Sequence, residues 1–220
     1  MPSDFVAGYG ATHPRRTATT TADARRDAGP VFRAALGYQR YADQFSEVTG
    51  KIAQWAVIPT VIVGFVNVVL RYVGQATEQR LTNNSIIELQ WYLYSAIFLF
   101  GFAYILKHQI NARVDFWFAK QTITRKAWID FVGNWIGLVP FAMIGIYVSV
   151  PQAWQSVSVW EQSPDANGLP RGPIKALLAI AFMLLLIQAI AEQIKLYAVI
   201  TGRGEMVRVD LDKEKPIRVE

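Results

Sequence analysis

The side chains that could do chemistry in this chain are few and widely separated. Glu161 and Asp165 form a carboxylate pair within EQSPDANGLP. Paired carboxylates can share general acid and base work, yet no partner base, nucleophile or metal cluster accompanies them. The two histidines, His13 and His108, leave little for haem or metal chemistry, since only His108 is near an apolar segment. With no cysteine anywhere, disulfides, thiolate metal sites and thiol nucleophiles are excluded. Glycine-rich phosphate loops are also missing. The other ionisable candidates, Arg71, Glu88, Arg113, Asp115, Glu192 and Lys195, stand at or beyond the ends of long apolar runs. The expectation is a protein that is not an enzyme, with no catalytic residue, no cofactor and no metal.

The elements holding these residues are four uncharged runs. Residues 89–106 carry no charge over 18 positions. They are preceded by Glu88 and the aromatic group Trp91, Tyr92 and Tyr94, and they end at Lys107 and His108. That length is the lower limit for a membrane-spanning helix, and aromatic residues concentrate where a span meets the headgroups. Uncharged runs of similar length cover about 52–70, 131–150 and 174–191. The chain is 52% hydrophobic and only 18% charged, with a mean hydropathy of +0.21. Soluble domains average about 25% charged residues. The fold class expected is therefore all-α, a polytopic membrane protein with four transmembrane helices.

Around the spans lie three other regions. Residues 1–30 are polar, with Pro2, Pro14 and Pro30, and read as a disordered N-terminal tail. Residues 31–50 repeat apolar side chains (Val31, Leu36, Tyr38, Tyr41, Phe45) at helical spacing among charges, the pattern of an amphipathic interfacial helix. The membrane domain then covers 51–201, and a charged tail occupies 202–220. Pro59 within the first span predicts a kink. Arg71, at the end of that span, suits a snorkelling anchor.

Orientation follows from the basic residues. Segments 1–51, 107–127 and 192–220 hold 18 of the 22 Lys and Arg, while the two intervening loops hold four. By the positive-inside rule both termini are expected in the cytoplasm, and the loop 151–173 on the opposite side. The same distribution argues against nucleic acid as a partner, because the cations flank apolar blocks. Gly133 and Gly137 form a GxxxG pair that Gly145 extends on the same face, a groove of the kind by which membrane helices approach one another. Carriers working alone keep ionisable groups deep in the bilayer, and the centres of these four runs contain none.

Three stretches together resemble a known family: VNVVLRYV (66–73), ELQWYLYSAIFLFGFAYILKH (88–108) and NARVD (111–115). They are similar to the DctQ-like small membrane subunit of TRAP (tripartite ATP-independent periplasmic) transporters, over roughly residues 50–200. Arg71 matches the arginine that ends the family's first helix. Glu88 and Trp91 match the acidic residue and tryptophan opening the second. HQINARVD departs from the family's His-x-Arg-x-Asp-like element in setting His108 further from Arg113. The resemblance implies a sodium-driven symport system for organic acid uptake in the bacterial inner membrane. In it, this chain would pack on a large DctM-like subunit within the lipid bilayer and help dock a periplasmic binding protein. The partner-facing candidates are Arg71, Glu88, Trp91, Arg113, Asp115, Gly133, Gly137, Gly145, Glu161, Ser163 and Pro164. The other readings are a membrane scaffold or assembly protein of an unrelated complex, an autonomous carrier and a membrane enzyme.

Overall fold

A computed structural model describes residues 29–108 and 121–202, and every regular element among them is helical. Arg113, Asp115, nearly all of the expected N-terminal tail and all of the C-terminal tail after Gly202 lie outside the described residues. Helix α1 runs Pro30–Ala76, α2 Asn84–Lys107, α3 Ile123–Gly133, α4 Val139–Ser158 and α5 Gly172–Ile200. A single π-helical turn, Asn134–Leu138, joins α3 to α4 without a break. Four helical segments, Pro30–Ala76, Asn84–Lys107, Thr124–Ser158 and Gly172–Ile200, are long and apolar enough to cross a membrane.

The first two expected elements are one. The interfacial helix and the first span form a single helix of 47 residues, about 70 Å long at 1.5 Å per residue and more than twice the hydrocarbon thickness. Pro30 starts it, with its φ already set for the first turn. Gly50 does not interrupt it. The glycine is there because the Tyr104 ring of α2 presses on its backbone, where a Cβ would overlap the ring. The buried positions Leu36, Gln39, Ala42, Ser46, Thr49 and Ala53 recur every three or four residues and, with Gly50, form the packed stripe of α1. Beyond Ala53 the helix is lipid-facing or open on most sides. Its close approaches there are at Gly64, beside Gln90 of α2, and at Gly74 in the turn.

That turn reverses the chain between α1 and α2. The Thr77 and Gln79 N–H groups donate to Val73 and Gly74 carbonyls at 2.9 Å each, and Glu78 takes a left-handed φ of 57°. Asn83 then caps α2 by accepting the Ile86 N–H at 3.2 Å.

Helix α5 is the axis of the bundle and packs against α1, α2, α3 and α4. Its buried face is rich in alanine (Ala179, Ala181, Ala189, Ala191, Ala198), which lets neighbouring backbones come close. Leu106, Val139, Ala142, Leu185 and Ala189 form the main apolar core, bounded by Phe102, Leu138, Phe182 and Leu186.

The π turn has a local cause. Pro140 has no N–H to give, and a proline ring crowds the carbonyl four residues back, that of Ile136. Widening the turn relieves this, and the Val139 N–H donates to Asn134 instead, five residues back.

Candidate functional site

Two polar clusters and one small-residue groove concentrate what this apolar bundle can do. The first cluster is built on Glu88, in the opening turn of α2. Its side chain is only 3% exposed, and the loop between α4 and α5 folds over it. Ser163 Oγ donates to one carboxylate oxygen and the Leu169 N–H donates to the other. Around it, Asn84 Nδ2 donates to the Ala166 carbonyl at 3.0 Å, Ser85 Oγ to Asn167, and Tyr92 OH to Pro170 at 3.1 Å. The start of α2 thus holds the loop backbone along its length. Gly168 is required there, because a Cβ would stand 2.8 Å from Glu88 Oε1 and against Ser163.

The second anchor of the loop is ionic. Glu161 pairs with Lys175 at 2.5 Å, and its backbone carbonyl accepts the Arg171 N–H at 2.8 Å. The hydrogen bond from Lys175 holds the Glu161 carboxyl below the usual carboxylate range. Held at both ends, the loop presents Pro164, Asp165, Ala166 and Asn167 outward, and Trp160 stands exposed with a left-handed φ of 47°. Both Glu88 oxygens serve the loop, and Arg71, the snorkelling-anchor candidate, is exposed on α1. Trp91 is partly exposed, edge-on to Tyr92 at 4.5 Å between ring centroids.

The second cluster lies at the opposite end of the bundle, between α1, α2 and α5. Lys195 Nζ is 2.8 Å from Asp43 Oδ1 and 2.6 Å from Glu192 Oε1. Gln188 Nε2 donates to both carboxylates, at 3.0 and 3.2 Å, while its oxygen accepts from Ser46 Oγ at 2.6 Å. Gln39 Nε2 completes Asp43 at 3.0 Å. Next to it, Lys107 Nζ reaches the Asp43 carbonyl at 3.0 Å and Glu47 at 2.6 Å, and His108 Nε2 meets the same Glu47 oxygen at 2.8 Å. Glu192 and Lys195 are 2% and 4% exposed.

Glu192 and Lys195 were expected at a tolerant membrane edge; they are buried inside protein. A buried charge persists only if paired and hydrogen-bonded, and this network supplies both. A signal for it exists in the sequence. Gln39, Asp43 and Ser46 on α1, and Gln188, Glu192 and Lys195 on α5, follow the same i, i+4, i+7 spacing. Each triplet makes one polar stripe, and the stripes face each other.

The glycine groove divides. Gly133 and Gly137 have no atom within 4 Å of an added Cβ, so their side of the helix is open. Gly145 instead faces α5, where the Phe182 ring occupies the space a Cβ would need. The expectation of one shared face is thus corrected. The π turn takes up an extra residue, which rotates everything after it by about 100° relative to an unbroken α-helix.

A family model described as "Tripartite ATP-independent periplasmic transporters, DctQ component" matches residues 60–199, well over half of the chain. No curated protein and no solved structure matches it.

Proposed function

The chain belongs to the DctQ component family of tripartite ATP-independent periplasmic transporters, and from this premise we propose that it is the small membrane subunit of a sodium-driven carrier for an organic acid. Its role is to pack on and stabilise a large DctM-like transporting subunit in the bacterial inner membrane. Both termini face the cytoplasm, in keeping with the 18 of 22 basic residues on that side. The loop clamped by Glu88 then faces the periplasm, where Trp160 and Pro164 are available to a substrate-binding protein.

One observation carries this reading. The uncharged centres of all four spans offer no ionisable group to bind or relay an ion, while their outward surfaces are extensive and apolar. None of the apolar window of α1 is buried within the chain. The polar clusters at the two ends serve internal structure, so what this chain offers a transporter is surface and stiffness. Of its candidate contacts, the open Gly133–Gly137 face suits close approach by a partner helix.

The test is reconstitution. Proteoliposomes containing the large subunit, with the binding protein outside, should take up the labelled acid under an inward sodium gradient only when this chain is present. Uptake by this chain alone, or undiminished uptake without it, would overturn the proposal.

A further inference from the structure

Gln193 is an α5 side chain that neither polar cluster uses. It follows Glu192 in sequence, so it stands about 100° around the helix from the Gln188, Glu192 and Lys195 stripe. It therefore meets α3 rather than α1. Its side chain is buried, at 6% exposure. Nε2 donates to the Phe131 carbonyl at 3.3 Å, and Oε1 has no hydrogen-bond partner among the described residues. The bond to Phe131 fixes which end of the amide is which, since a reversed amide would set two oxygens together. What remains is a buried acceptor in want of a donor, which costs free energy until one arrives.

The same residue lines a groove of about 590 Å³ that opens sideways between the beginning of α1, α3 and the last turns of α5. Phe131, Trp135, Ile190, Ile194 and Tyr197 make much of its wall, and Ala35 leaves room on the α1 side. The volume is within the range of roughly 300–1,000 Å³ typical of small-molecule sites. Trp135 and Tyr197 are half exposed, and aromatic residues so placed mark the boundary between hydrocarbon and headgroups. Among the described residues no Asp, Glu, Lys, Arg or His lines the groove, although the ionic cluster of Asp43, Glu192 and Lys195 lies at the same end of the bundle. An ionic headgroup seated inside would meet no counter-ion and would lose its hydration. The complementary occupant is apolar, uncharged and carries a hydrogen-bond donor.

We propose that this groove seats one uncharged lipid with a free hydroxyl, of the diacylglycerol type. The hydroxyl donates to Gln193 Oε1, and an acyl chain lies along Ile190, Ile194 and Trp135. Phospholipids are disfavoured by their ionic headgroups. A fully substituted glycerol fills the same space but has no O–H to give.

The experiment uses the full-length chain in phosphatidylcholine nanodiscs containing equal small amounts of dioleoylglycerol and its O-methyl ether, which has the same shape without the O–H. Detergent exchange and native mass spectrometry then identify the retained lipid. The wild-type chain should keep one dioleoylglycerol, favoured about fivefold over the ether, as one net hydrogen bond allows. Gln193→Leu should hold alcohol and ether equally. Ala35→Trp, which fills the groove, should lose both; if that variant does not fold, Trp135→Ala, which removes an exposed wall, should lower retention instead. The proposal is overturned if the wild type retains neither lipid, holds the two equally, or keeps phosphatidylcholine in their place. It is equally overturned if Gln193→Leu keeps the preference, or if retention appears only after deletion of residues 1–28, which would mean the chain itself fills the groove.

Discussion

Replacing Lys195 with methionine should be among the most damaging single changes in the membrane domain. Its ammonium lies between Asp43 and Glu192 at 2.8 and 2.6 Å, and Lys195 and Glu192 are almost wholly buried. Methionine keeps most of the volume but leaves two carboxylates facing each other across the missing cation. Removing one member of a buried ionic group costs about 3–5 kcal/mol, and two stranded anions put this case at the upper end. Asp43→Asn or Glu192→Gln leaves one carboxylate for one ammonium, and each should cost less, about 1.5–3 kcal/mol, the scale of a charged hydrogen bond. The triple change Asp43→Asn, Glu192→Gln, Lys195→Met removes every charge and should return to within about 1 kcal/mol of wild type, since a neutral replacement of a buried ionic group is often tolerated. Unfolding in mixed micelles with increasing dodecyl sulfate, followed by tryptophan fluorescence, measures all four variants. The reasoning is refuted if Lys195→Met lies within about 1 kcal/mol of wild type, or if the triple variant is no better than Lys195→Met.

Other perturbations probe the loop and the helix faces. Glu88→Ala removes the acceptor for Ser163 and Leu169, so the segment 159–171 should become cleavable by added protease at least tenfold faster while α2 stays helical. The Glu161–Lys175 pair should respond to acid. Because the folded carboxyl is held below its unfolded value, its stabilisation is complete above the unfolded pKa of about 4.3 and is lost as pH falls through the lower folded value. Hydrogen exchange at Glu161–Arg171 should therefore accelerate below about pH 4, and Glu161→Gln should weaken that dependence around Glu161 and Arg171 while the Glu88 anchor at Ser163 and Leu169 keeps its own. Gly145→Val should destabilise the isolated chain by about 1–3 kcal/mol by displacing Phe182, whereas Gly137→Val should leave its unfolding almost unchanged and weaken association with the large subunit.

Much of this molecule can be read from its residues, because lipid imposes simple demands. Charge-free runs of about 18 residues locate the spans, and the stretch ending at Lys107 and His108 coincides with the end of α2. Less legible was everything that depends on what packs where. The boundary between an interfacial helix at 31–50 and a span from about 52 is not one the fold keeps. In the fold Gly50 is a contact point for Tyr104, and the helix continues through it. Asp43 and Lys195 are 152 positions apart, so only matching polar stripes on α1 and α5 hint that they meet. The register error at Gly145 comes from one widened turn before Pro140, which helical periodicity cannot anticipate. Glu88 was recognised as special, but its partners are a side chain and a backbone N–H in a distant loop. Nothing local to ELQW announces them.

The central claim is that this chain is built to hold a larger membrane subunit. The direct measurement is co-purification of the tagged chain in mild detergent, with mass spectrometry of what accompanies it. A many-spanning membrane protein in fixed stoichiometry, reduced by Gly137→Val but not by Glu161→Gln, is the predicted result. A monodisperse chain, stable alone and without a membrane partner, would contradict the account.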